Sequence, residues 1–150
     1  MRIVLDTNVV LSALLWRGTP YRLFETIRRQ ERTQLFTSAA LLTELSNVLV
    51  RPVPTKRLAL LGRVAHEVLA DYIDAVELVT PLAIPPVIAA DPDDDQVIAT
   101  AVAAAAELIV SGDHQLLALA SHQNIRILTA AEAVRLIAPA SPASPDDLLP

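Results

Sequence analysis

A chain of 150 residues and 16.2 kDa, 53% hydrophobic and 19% charged, has room for one core and is too apolar to remain disordered. The absence of cysteine excludes a disulfide framework, a zinc–thiolate centre and a thiol nucleophile, and fits a reducing, cytoplasmic setting. The net charge of −5 conceals a division: residues 1–63 carry ten of the twelve basic residues and four acids, the remainder two bases and thirteen acids, a pattern suited to a polyanion handled beside carboxylates.

The chain opens on Arg2-Ile-Val-Leu-Asp6, which reads as a buried strand ending in an acid; an acid so early leaves no apolar core for a signal peptide. A short helix follows through Val9, Leu11 and Leu15. Gly18-Thr-Pro20 stops it and starts a second, over Tyr21 to Arg32, with Leu23, Phe24 and Ile27 at helical spacing. Gln34 to Thr37 is the next strand. Ser38 caps a helix whose stripe is Leu41, Leu42, Leu45, Val48 and Leu49, and Pro52 ends it. A helical stretch from Leu58 to Ala75 leads to a third strand at Val76 to Val79. Pro81, Pro85 and Pro86 form a rigid connection to Asp91-Pro-Asp-Asp-Asp95, and Val97, Ile98, Ala101, Val102 and Ala105 repeat as a helix. Glu107 to Val110 is the fourth strand and Ser111-Gly-Asp113 turns into a helix through Leu116. Ile125 to Leu128 is the last strand, and Thr129 caps a closing helix to Ile137. Residues 1–138 thus form one domain, and residues 139–150, rich in Pro, Ser and Ala, read as a flexible tail. No stretch reaches the roughly 20 apolar residues of a membrane span.

Short apolar strands alternating with helices predict an α/β domain with a parallel sheet covered on both faces. Three glycines allow neither a phosphate loop nor a dinucleotide fingerprint. In such a sheet ligands bind at the carboxyl ends of the strands, where Asp6, the Asp91 to Asp95 run and Asp113 all fall. Each has a capping role open to it: Asp6, Asp91 and Asp113 all precede helical turns. Four carboxylates in five residues nevertheless exceed what one cap requires, and a cation accounts for the excess. At ~100° per residue, Asp95 stands about 90° from the middle of its helix's apolar stripe, and Glu44 about 100° from that of its own. Both border the core. Carboxylates without histidine or cysteine partners are the ligand set of Mg²⁺ or Mn²⁺, and suit attack of an activated water on a phosphodiester. His66, His114 and His122 share no metal-binding spacing.

The ordered set Asp6-Thr-Asn8, Glu44, Asp95-Gln-Val-Ile-Ala-Thr-Ala and Val110-Ser-Gly-Asp113 resembles the PIN-domain ribonucleases, and among them the VapC-like toxins of prokaryotic toxin–antitoxin pairs. The resemblance covers residues 1–138. It implies a three-layer α/β/α sandwich with a central parallel sheet and Mg²⁺- or Mn²⁺-dependent endonucleolytic cleavage of RNA. Carried over by position, Asp6, Glu44, Asp95 and Asp113 are the catalytic, metal-holding quartet, with Asp93 and Asp94 as competing registers for the third acid. Thr7 and Asn8 support Asp6 and bound water. The resemblance further implies a homodimer and a small antitoxin partner. Of the basic residues in segment 1–63, Arg17, Arg22 and Arg51 are candidates for RNA contact. The alternatives are a housekeeping RNA-processing nuclease of the same family, a receiver-like signalling domain, for which Lys56 lies in the wrong region, and an inactive binding domain, which the presence of all four acids disfavours.

Overall fold

The computed structural model describes residues 1–82 and 92–138, the side chains of Pro92 and Asp93 excepted; the predicted tail and most of the proline-rich connection fall outside them. The elements run β1 (Arg2–Leu5), α1 (Thr7–Leu15), α2 (Thr19–Arg29), β2 (Gln34–Thr37), α3 (Ala39–Leu49), α4 (Pro52–Leu61), α5 (Ala65–Ala75) and β3 (Glu77–Leu78). They continue with α6 (Pro92–Ala103), β4 (Leu108–Val110), α7 (His114–Leu119), β5 (Ser121–His122), β6 (Ile125–Leu128) and α8 (Ala130–Ile137).

The sheet has the order β3-β2-β1-β4-β6-β5, parallel throughout except that β5 runs antiparallel to β6. Side chains alternate across it, as a period of two requires. Ile3, Leu5, Leu35, Leu108 and Val110 join the core beneath α1, α2, α3, α5 and α8. Val4, Phe36, Ile109, Ile125 and Ile127 join the opposite core beneath α6 and α7. Because both faces are covered, the central strands are continuously apolar from Ile3 to Leu5 and from Leu108 to Val110, and the domain is a three-layer α/β/α sandwich.

Local chemistry departs from the sequence reading in three places. Pro52 does more than end α3: it is the first residue of α4, where its missing N–H costs nothing. The predicted stretch from Leu58 to Ala75 is broken at Gly62, whose φ of +65° gives the left-handed residue that closes α4 before α5 begins. The hairpin of β5 and β6 was not predicted; it turns through Gln123 and Asn124, both at positive φ, in the manner of a two-residue turn matched to sheet twist. At the other extreme, Thr129 caps α8 as predicted, and its capping box is complete: its hydroxyl accepts from the Glu132 amide, and the Glu132 carboxylate accepts from the Thr129 amide and hydroxyl, which holds that carboxyl below the ordinary glutamate range. Among the described residues no helix is long and apolar enough to cross a membrane.

Candidate active site

From β1 the chain crosses to β2 and β3 on one side, and from β4 to β6 and β5 on the other. The carboxyl ends of β1 and β4 therefore flank the point where strand order reverses, the place where open α/β sheets form a crevice. Asp6 leaves β1 there, and its amide donates to the Val110 carbonyl of β4 at 2.9 Å, extending the ladder by one residue. Ser111, the next residue after β4, is wholly buried and faces it.

Asp6 is 7% exposed, and its carboxylate is held on both sides. Oδ1 accepts from the Thr7 amide at 2.7 Å, the N-cap of α1; Oδ2 accepts from the Ser111 hydroxyl at 2.7 Å. Hydrogen bonds to the charged form are what a buried carboxylate needs. Thr7 does a second task, since its hydroxyl donates to Glu44 Oε2 at 2.9 Å. One residue thus orients both acids, one through its backbone and one through its side chain. Ser111 does likewise on the other flank: its Oγ accepts from the Asp113 amide at 3.0 Å. Asp113 caps α7, its Oδ1 accepting from the amides of Gln115 and Leu116. Capping and site geometry therefore coexist in Asp6 and in Asp113.

Helix α6 brings the third group. Its last turns lie at the amino end of the sheet, where Arg2 Nε donates to the Ala104 carbonyl at 2.6 Å, so its first turn lies at the carboxyl end with Asp6. A buried hydroxyl pair fixes its register against α3: Thr100 Oγ1 and Ser38 Oγ are 2.8 Å apart, and Ser38 is the N-cap of the helix that carries Glu44. Asp94 is 5% exposed and Asp95 half-buried. The sequence stripe pointed to Asp95 because it counted Val102 and Ala105 as core. Val102 is only half-buried and Ala105 is exposed, whereas Thr100 and Ala104 are fully buried, which moves the buried face toward Asp94. The side chain of Asp93, the remaining register, lies outside the described residues.

The structure thus places Asp6, Glu44, Asp94, Asp95 and Asp113 on elements that meet at one sheet edge, with Asp6, Thr7, Glu44, Ser111 and Asp113 in one hydrogen-bonded chain. Among the described residues no three Asp, Glu or His side chains stand close enough to hold an ion between them. Asn8 is exposed and borders two depressions, one with Ser12, Pro20, Ser111 and Gly112, the other with Leu11, Trp16 and Arg51. Arg51 accordingly lies near the site. Arg22, two residues beyond Pro20, is exposed and donates to Thr19 Oγ1 at 3.3 Å; Arg17 lies over the Tyr21 ring, 4.4 Å from its centroid, in a depression that includes Arg63. Ser111 and the Ser38–Thr100 pair escaped the sequence reading. The hydroxyl of Ser-Gly-Asp113 was visible there, but its partner Asp6 follows only from β1 lying beside β4.

No curated protein is similar enough to match the chain. Of three matching solved chains, one belongs to the crystal structure of VapBC2 from Rickettsia felis bound to a DNA fragment from their promoter. It aligns at a TM-score of 0.57 and 14% identity over 85% of this chain and 97% of its own, a likeness of fold. The PIN domain family model matches residues 2–115, from the first residue of β1 to two residues past Asp113, and so takes in every acid of the crevice; by that match the chain belongs to the PIN-domain family.

Proposed function

We propose that this PIN domain is a metal-dependent endoribonuclease and the toxin of a toxin–antitoxin pair. PIN domains are generally nucleases and typically use divalent metals. The observation that carries the reading is the linkage of Asp6 and Glu44 through Thr7, beside Ser111 and Asp113, at the switch point of the sheet. Capping accounts for Asp6 and Asp113, but not for Glu44 of α3, which the first residue of α1 ties beside them.

The donor set fits a hard cation. All the candidate ligands are carboxylate oxygens, and Mg²⁺ keeps several waters while using only one or two carboxylates directly, so a closed cage of side chains is not required. Asp6 and Glu44 would hold it, with Asp94 or Asp95 and Asp113 completing the acidic wall. When bound, such an ion supplies charge stabilisation at a phosphodiester and a nucleophilic water at neutral pH. The chain's own groups set the geometry. The Thr7 amide and the Ser111 hydroxyl fix Asp6, and the Thr7 hydroxyl aims Glu44. Arg51, exposed nearby, offers a cation to the phosphate backbone.

The solved VapBC2 structure supports a protein partner by analogy. Apolar side chains suited to a partner or to a second copy are exposed on α4 and its flanks, among them Val50 at 69% and Leu60 at 80%. The test is cleavage of single-stranded RNA by the purified protein. Cleavage with Mg²⁺ or Mn²⁺ that stops in excess EDTA and in Asp6→Asn is expected. Undiminished cleavage in either condition overturns the reading. For the toxin role, wild type expressed alone should arrest growth and Asp6→Asn should not; equal slowing by both overturns it.

A further inference from the structure

Beside the acids runs a groove of about 420 Å³, of which the proposed function uses Arg51 alone. It begins at Asn8, two residues after Asp6, and is walled by Leu11, Trp16, Pro52 and Pro54, with Arg51 exposed along it. Apart from the indole N–H, its polar side chains are Asn8 and Arg51 alone. Trp16 is the only tryptophan in the chain, and it is half-buried. Its ring is backed by Arg57, whose guanidinium carbon lies 5.9 Å from the ring centroid and whose Nε donates to the Leu15 carbonyl at 2.7 Å.

We infer that this groove holds one unpaired nucleobase of the substrate strand, stacked against Trp16, with the adjoining phosphate on Arg51. The inference rests on the nuclease reading and deepens it. Three features select this occupant. The indole of Trp16, set among aliphatic side chains and Pro52, suits a heterocycle, and stacking on an aromatic residue is the sequence-tolerant way proteins hold single strands. The net charge of +6 over residues 1–63, which include the whole groove, complements a polyanion. The groove also meets, at Asn8, the depression that holds Ser111, the hydroxyl partner of Asp6, so a strand passing the acids brings a neighbouring base toward it. A base held inside a duplex is not free to stack on Trp16, so the proposed subsite favours single strands.

Because Trp16 is unique, its fluorescence reports the groove alone. Asp6→Asn protein, which keeps a good N-cap and leaves the strand uncut, is titrated with an end-labelled oligouridylate and with a duplex of equal length. The expected result is a change of Trp16 emission that tracks binding of the single strand, as read from anisotropy of the label, and no change with the duplex. In Trp16→Leu, which keeps an apolar side chain without a ring, single-strand affinity should fall about tenfold with the fold intact by circular dichroism. Binding of the single strand with unchanged Trp16 emission, or undiminished affinity in Trp16→Leu, overturns the inference and leaves the groove to a protein segment. These readouts need no cleavage, so failure of the nuclease reading appears separately, as wild-type protein that cuts no RNA with Mg²⁺ or Mn²⁺ present.

Discussion

At the carboxyl end of the sheet Asp6 is buried and accepts from the Ser111 hydroxyl and the Thr7 amide, while the Thr7 hydroxyl donates to Glu44 and the Ser111 hydroxyl accepts from the Asp113 amide. Toward the opposite end, Asp71, Asp74, Glu77 and Glu31 surround a depression of about 350 Å³, yet all four are exposed. Asp71 there is paired with Arg63 at 2.6 Å, which raises the arginine's pKa, and its side chain is 62% exposed. Both regions are acidic. At the amino end Arg63 pairs with Asp71, and the acids stand exposed in solvent, where water screens them. At the carboxyl end an amide and two hydroxyls hold Asp6 and Glu44 in fixed positions. It is the way acids are held, rather than their number, that separates a site from a solvated surface.

The largest effect should come from the held acids. Asp6→Asn and Glu44→Gln are expected to lower RNA cleavage by at least about a hundredfold, above the 10–100-fold typical of residues that merely support a metal ligand. Melting temperature should stay near wild type, since asparagine also caps and loss of one charge relieves repulsion. Ser111→Ala should come next. It removes the donor to a buried carboxylate, so cleavage should drop about 10–100-fold and stability by about 1–3 kcal/mol, measured by kinetics and urea unfolding. Equal stability and equal activity would show that Ser111 holds nothing.

Smaller effects lie outside the crevice. Glu132 has its folded pKa lowered by the Thr129 amide and hydroxyl, so its contribution is complete above the pKa it has unfolded and is lost as pH falls through the depressed folded value. Glu132→Ala should lower the melting temperature by on the order of a degree or two at neutral pH. That difference should close on acidification, and one that widens would contradict the assignment. Asp71→Asn should be the mildest change: the ion pair is exposed and worth at most about 1 kcal/mol, and cleavage should not change.

Much of the fold and of the carboxyl-end site was legible in the sequence, but the amino-end acids were not singled out there. β1, β2, β6 and the cap of α8 follow from apolar runs and local chemistry, and Asp6, Glu44 and Asp113 could be placed at strand ends or helix rims from spacing alone. What stayed hidden depends on neighbours distant in the chain. Ser111 becomes a partner of Asp6 because β4 pairs with β1, and Thr100 meets Ser38 because α6 packs on α3. The stripe of α6 was misjudged for another reason: alanine is small enough to sit inside or outside a core, so a run of alanines does not define a face. The polar β5 strand offered no apolar signal, and its turn lacks the glycine that usually marks a hairpin.

The central claim is that the carboxyl-end acids, and not the amino-end ones, hold a divalent cation. Titration of the protein with Mn²⁺, followed by electron paramagnetic resonance of the free ion, tests it most directly. The account predicts that wild type and Asp71→Asn bind alike, and that binding is lost in Asp6→Asn and Glu44→Gln while circular dichroism shows them folded. Retention of Mn²⁺ by Asp6→Asn and Glu44→Gln, with its loss in Asp71→Asn, would contradict it.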